Sequence, residues 1–271
     1  MEIRVQHERT PMKSIDIHIH VLASDPDMDG YVTAMDRNGV EAALVHGLPE
    51  VDSMYVCGNE AVARVVRRHR GRLLGSVYVD LGCPAEDNIR LVRQYAALGF
   101  KSIKLIPNYG FDPNDEKHEP FWQAVEDLGL MALSHCGWFM GDKLRPELRL
   151  QSLTASPFHF EVPARRHPKI NFIFSHFGGA ATYLETVVLL SRLSNCYADV
   201  CPGWGLWVFE NRLPGLQTLD RSKVLFGTDN AGNRYDRRMR RWSRIMRSNG
   251  YNRSDRRKYF YENAARLLKV G

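Results

Sequence analysis

Apolar residues recur along this chain with two spacings. Eight short runs, at residues 14–20, 42–46, 73–80, 102–106, 131–135, 171–176, 196–201 and 224–228, either alternate apolar with polar or are apolar almost throughout, as half-buried and fully buried strands do. Between them lie longer stretches with apolar residues every three or four positions, the spacing of one helix face. Residues 54–68 carry Val62, Val65 and Val66. Residues 85–98, opening after Pro84, carry Ile89, Leu91, Val92, Tyr95 and Leu98, and residues 118–128 carry Phe121, Val125 and Leu128. Residues 181–193 are apolar on a wide face, and residues 254–268 end the chain as a further helix.

Strand followed by helix, eight times over, predicts an α/β fold: one parallel (β/α)8 TIM barrel, slightly distorted, with residues 1–271 as a single domain. The fifth to seventh connections lack a clean period and are expected to hold loops or short helices. A doubly wound open sheet is the competing arrangement, but no strand run is followed by the Gly-rich fingerprint of a dinucleotide site.

Composition narrows this further. A length of 271 residues suits one barrel, and 44% hydrophobic residues can fill a sizeable core. No apolar run approaches the roughly 20 residues that span a bilayer. The first ten residues are charged and contain no apolar signal region, so cytoplasmic residence is the expectation. The five cysteines, Cys57, Cys83, Cys136, Cys196 and Cys201, are odd in number and show no Cys-x-x-Cys spacing, which fits reduced thiols better than a disulfide framework.

The net charge of +6 is concentrated in an arginine-rich stretch from Arg234 to Lys258. It reads as the solvated face of a late helix, because no nucleic-acid motif accompanies it. Neither a nucleic acid nor a membrane is expected as a partner. An alternative use is Arg234, just after the eighth strand, reaching an anionic substrate.

Several strand runs end in ionisable residues: His18 and His20 in the first, His135 in the fifth, His176 in the sixth and Asp229 in the eighth. In a barrel these ends converge on the face where barrel enzymes keep their active sites. In the first run Asp16, His18 and His20 alternate with Ile15, Ile17 and Ile19, so strict strand parity puts the three polar side chains on one face. Two neutral imidazoles there can chelate one transition metal, at Zn–N distances of about 2.0–2.1 Å. Near the same mouth fall His46, Asn108, Tyr109, Trp138, Phe139, Trp204 and Trp207, whose aromatics suit an apolar wall for a cyclic substrate. Arg145 and Arg149, in the fifth connection, could clamp a substrate carboxylate bidentately.

The phrases Asp-Ile-His-Ile-His at 16–20, Gly-Phe-Lys-Ser-Ile-Lys-Leu at 99–105, Leu-Ser-His-Cys-Gly at 133–137, Phe-Ser-His-Phe-Gly-Gly at 174–179 and Leu-Phe-Gly-Thr-Asp at 225–229 cover nearly the whole chain. In this order they resemble the amidohydrolase superfamily, in particular the amidohydrolase-related group that includes aminocarboxymuconate semialdehyde decarboxylase. The resemblance implies that His18, His20, His135 and Asp229 bind one divalent metal, zinc first, with Mn2+, Fe2+ or Co2+ as alternatives. It also implies that Asp229 moves a proton and that His176 acts as electrophile or acid–base partner. Asn108, Trp138, Arg145 and Trp204 are the expected substrate contacts.

The implied activity is a metal-dependent hydrolase that uses activated water on an amide, lactam or lactone of a small molecule. The alternative is a metal-dependent non-oxidative decarboxylase of an aromatic or conjugated carboxylic acid, and a homodimer is common in the resembling family. Some relatives carry a carbamylated lysine on the fourth strand that bridges two metals. Lys104 lies there, but is expected to be a buried lysine paired with a carboxylate, so one metal per chain is expected. Many relatives have an aromatic-Pro pair after the last Asp; here Asn230, Ala231, Gly232 and Asn233 follow instead.

Overall fold

The computed structural model describes residues 12–49, 54–139, 151–229 and 235–270. Eight strands form one parallel sheet in sequential order: β1 (Ser14–Ile19), β2 (Val40–His46), β3 (Leu73–Tyr78), β4 (Ser102–Leu105), β5 (Met131–Ser134), β6 (Phe172–Phe174), β7 (Cys196–Asp199) and β8 (Val224–Leu225). Two backbone bonds join the last strand to the first, from Ile17 N to Phe226 O at 3.1 Å and from Asp229 N to His18 O at 2.7 Å. The predicted barrel is the observed fold.

Helices cover the outside: α1 (Asp29–Asn38), α2 (Asn59–Arg68), α3 (Ala85–Ala97), α4 (Glu119–Asp127), α5 (Glu161–Arg166), α6 (Tyr183–Arg192), α7 (Trp204–Glu210) and α8 (Tyr235–Ser248). The chain ends in α9 (Arg253–Arg257), a π-helical turn (Lys258–Glu262) and α10 (Asn263–Leu268). The periodic pattern misses α1, because its buried face is made by Tyr31, Ala34 and Met35, a weak apolar signal. It starts α2 too early, since Gly58, at φ 89°, precedes the helix in a conformation no helix residue adopts. The fifth and seventh connections contain 3-10 turns and the short helices α5 and α7, as their irregular pattern implies. No helix among the described residues is long and apolar enough to cross a membrane.

Strand alternation sorts the core into two layers. Ile15, Ile17, Ala42, Leu44, Met131, Leu133, Ile173, Tyr197 and Leu225 form an inner cluster, closed from below by Ala264 and Leu268 of α10. Their strand neighbours Ala43, Val45, Ile103, Leu105, Ala132, Phe172, Phe174, Ala198 and Val224 face outward and pack with Trp122, Trp242 and Tyr259. Followed two residues at a time toward the C-terminal ends, the inner rows turn polar. Leu44 leads to His46, Leu133 to His135, Tyr197 to Asp199 and Cys201, and Leu225 through Gly227 to Asp229. Lys104, between outward Ile103 and Leu105, is inward as well.

β1 breaks the expected parity. Asp16 pairs with Ala43 and Ile19 with Val45, three steps against two, so β1 holds one extra residue there. Asp16 therefore does not share a face with His18 and His20. It points outward, where Tyr235 OH (2.7 Å) and Thr228 Oγ1 (2.5 Å) donate to Oδ2, and the Thr228 (3.0 Å) and His18 (3.2 Å) amides donate to Oδ1. Burial pushes this carboxyl up to about 6, even against those donors. The bulge turns His18 inward directly after inward Ile17.

Candidate active site

His18, the first residue past the bulge, is buried at the floor of the mouth. Its Nδ1–H donates to Asp199 Oδ2 at 2.8 Å, which turns Nε2 to the cavity, where Lys104 Nζ lies 3.2 Å from it. His20 is held in the same sense, with Nδ1–H donating to His46 O at 3.1 Å. His46 in turn donates from Nε2 to Ile17 O at 2.8 Å, so the carbonyl that orients His20 belongs to a residue itself tied to β1.

Asp229 completes the group. Its backbone sits at φ 43°, a left-handed conformation that costs a non-glycine residue about 1 kcal/mol or more, and its amide is bonded to His18 O. Oδ1 then lies 3.4 Å from His20 Nε2 and 3.7 Å from His18 Nε2, while Oδ2 lies 3.9 Å from His176 Nε2. Ligands about 2.0–2.1 Å from a tetrahedral ion are about 3.3 Å apart, close to the two separations from Oδ1, and the ligand atoms of His18, His20 and Asp229 all lie within 4.8 Å of one another.

The protonation states agree. Burial, reinforced by Lys104, pulls His18 down to about 4, so it is a neutral imidazole near pH 7, as ligation requires. Burial alone would raise the Asp229 carboxyl, but the neighbouring His18, His20 and His176 together hold it well below the usual carboxylate range. Asp199 is held down to about 2 by His18 and by a hydrogen bond from it, against its burial.

Two other trios also bring three ligand atoms within 4.8 Å of one another: His18 with Asp199 and Cys201, and His176 with Cys201 and Asp229. The first is a weaker ion site, because His18 Nδ1 and Asp199 already satisfy each other. The second is compromised because His176 turns Nδ1 toward Cys201 and Nε2 toward Asp229.

His176 reaches the site by an irregular route. Strand parity after inward Ile173 would send Ser175 inward and His176 outward. Instead His176 (φ 55°) and Phe177 (φ 52°) both adopt left-handed backbone, which reverses the chain after β6. The His176 amide is pinned to Asp199 Oδ1 at 2.9 Å, and its Nδ1 lies 3.1 Å from Pro202 O and 3.0 Å from Cys201 Sγ. The first turn of α7 fits against this backbone only because residue 205 is glycine. A Cβ there would meet the His176 carbonyl carbon at 2.8 Å.

His135 stands at the end of β5 with its ring 4.8 Å from that of His176. It is not drawn into the His18–His20–Asp229 group, and its Nε2 lies 3.4 Å from Trp138 O. Asn108 is buried and donates to Gly137 O at 2.9 Å. Trp138 and Trp204 are exposed. Arg145 and Arg149 lie outside the described residues, as do Asn230–Arg234.

Three residues of the site carry roles that sequence patterning does not assign. Asp199 orients His18 and His176 together. Its sequence signal is that of a lone carboxylate inside an apolar strand, the same kind of signal that marks the histidines. Cys201, two residues on, touches His176. Lys104 corrects an expectation: it is buried, but its Nζ donates to His18 Nε2 at 3.2 Å, and it forms no ion pair among the described residues. Burial pulls its ammonium below the usual lysine range.

Comparison with known proteins agrees with the barrel fold. A protein-family model described as Amidohydrolase matches residues 15–270. No curated protein sequence matches the chain. Among solved structures, an uncharacterised TIM-barrel protein from Bordetella bronchiseptica is similar at 15% identity and TM-score 0.73, over 95% of this chain and 98% of that one. A 2,6-dihydroxybenzoate decarboxylase from Rhizobium is similar at 16% identity and TM-score 0.66, over 96% and 99%. A probable 2-pyrone-4,6-dicarboxylic acid hydrolase from Acinetobacter baumannii is similar at 14% identity and TM-score 0.63, over 96% and 100%. These likenesses concern the barrel; the family match spans nearly every residue from β1 to α10, and on it the chain belongs to the amidohydrolase family.

Proposed function

We propose that this chain is a metal-dependent hydrolase that opens an amide, lactam or lactone bond in a small molecule. The observation that carries the reading is the split reach of Asp229, with Oδ1 toward His20 and His18 and Oδ2 toward His176. One carboxylate can then keep one oxygen on a cation and use the other to move a proton. A divalent cation held by His18, His20 and Asp229, zinc first, supplies Lewis acidity and acidifies water when bound. Asp229 takes the proton of the attacking water at Oδ2. His176, anchored through Nδ1, presents Nε2 to the substrate oxygen and, protonated there, donates to the developing charge. Trp138 and Trp204 offer apolar surface to the rest of the substrate.

A second reading, non-oxidative decarboxylation, is favoured by Lys104. A buried ammonium that Asp229 and Asp199 favour only from beyond ion-pair distance, among the described residues, is a place where a substrate carboxylate would pair. The two readings separate by product. The metal-loaded protein is incubated in 18O-labelled water with a panel of lactones, amides and aromatic carboxylic acids. Hydrolysis predicts labelled carboxylate; release of carbon dioxide without label would replace it with the second reading. Turnover that survives complete metal removal would overturn both.

A further inference from the structure

A groove of about 930 Å3 is lined by Glu210 of α7 and by Arg237, Arg240, Arg241, Arg244 and Arg247, which recur every three or four residues along one side of α8. The opposite side of α8 is fully occupied, with Tyr235, Trp242, Ile245 and Met246 buried in the core. Residues 235–258 hold ten cationic side chains against two carboxylates, a net +8, whereas the whole chain carries +6; the remainder is therefore net negative. Repulsion within this segment is only partly relieved. Arg240 pairs with Asp236 at 2.9 Å and Arg241 with Glu210 at 2.7 Å, but Arg237, Arg244 and Arg247 have no acidic partner among the described residues. On neighbouring α9 the Nε of Arg256 is buried without a hydrogen-bond partner. Its guanidinium is pulled down by burial and by the charges of Arg247 and Arg253.

We propose that this groove is a binding site for a compact anion carrying several phosphoryl groups. Guanidinium forks recognise phosphate oxygens bidentately, and every cationic group in the lining is an arginine. The volume is that of a small-molecule pocket. No aromatic ring lines the groove to stack nucleic-acid bases, and no apolar side chain lines it to anchor a peptide or enter a lipid surface. A second copy docked symmetrically through the same face would set arginine against arginine.

The test is calorimetric titration of the full chain with inorganic tripolyphosphate at about 0.15 M salt. The result expected is one site per chain, weakened about tenfold or more in Arg237→Ala/Arg244→Ala, weakened less in Arg237→Lys/Arg244→Lys, and unchanged in Arg90→Ala/Arg93→Ala on α3. Citrate, a carboxylate anion of similar charge, should compete poorly. Circular dichroism confirms that the variants are folded. Absence of binding, equal weakening in the α3 variant, or competition by citrate as strong as by phosphate would overturn the proposal. Single-stranded DNA binding more tightly than tripolyphosphate through the same arginines would also overturn it, assigning the surface to nucleic acid.

Discussion

His18 and Asp199, 181 positions apart, are joined by a 2.8 Å hydrogen bond from imidazole Nδ1 to carboxylate Oδ2. The bond fixes which nitrogen of His18 faces the barrel mouth. The other oxygen of Asp199 accepts from the amides of His176 (2.9 Å) and Cys201 (3.2 Å), so one carboxylate orients both sides of the site. Carboxylates that hold ligating histidines typically govern metal affinity by about 10–100-fold. Asp199→Asn should lower zinc affinity by that amount while the protein stays folded, measured by competition with a chromophoric chelator. Unchanged affinity would mean that Asp199 serves only the backbone of the β6 and β7 loops.

Lys104 stands on the opposite side of the same imidazole. A buried cation beside a divalent ion is repelled by several kcal/mol even at an effective dielectric of about 20. Lys104→Met should therefore tighten metal binding by about tenfold or more. Weaker binding in the variant would show that Lys104 itself contributes to holding metal, as a bridging lysine does.

Much of this site is legible in the sequence. His18, His20, His176 and Asp229 are marked as polar residues ending apolar runs, and the barrel brings those ends together. The resemblance groups His18, His20 and Asp229, but how His18 and His176 turn inward is not legible, because it depends on backbone irregularities that strand parity conceals. A bulge turns His18 inward directly after inward Ile17, whereas Asp16, between inward Ile15 and Ile17, points out to Tyr235 and Thr228. Left-handed backbone at His176 and Phe177 swings the His176 side chain back over the mouth. For Lys104 the strand is right and the expected partner wrong, because parity shows a side, not a neighbour.

The left-handed turn at His176 depends on Gly205. Adding one methyl group there would press on His176 backbone atoms rather than on a movable side chain. Gly205→Ala should cost about 1–3 kcal/mol of stability and lower kcat more than KM, as steady-state kinetics and thermal melts would show. A variant with normal kcat would separate the position of His176 from catalysis.

Away from the site, Asp255 ties the end of the barrel together. It forms a capping box with Asn252 at the start of α9 and an ion pair with Arg221. Its burial opposes ionisation, but the Asn252 amide and Arg221 outweigh it and hold the carboxyl below its usual value. A depressed carboxyl stabilises the fold above the unfolded value near pH 4, and that contribution disappears as pH falls through the folded value. Asp255→Ala should be less stable by about 1–2 kcal/mol at pH 7, with the gap closing as pH falls through the depressed folded value. A gap independent of pH in urea melts would contradict this.

The central claim is that His18, His20 and Asp229 hold one catalytic cation. Its most direct test is elemental analysis of the purified protein, repeated after chelation and reloading, beside His20→Gln and Asp229→Asn. The account predicts one equivalent of divalent metal per chain, lost in both variants together with turnover, while their circular dichroism stays unchanged. Two equivalents in the natural protein, or one equivalent retained in both variants, would contradict it.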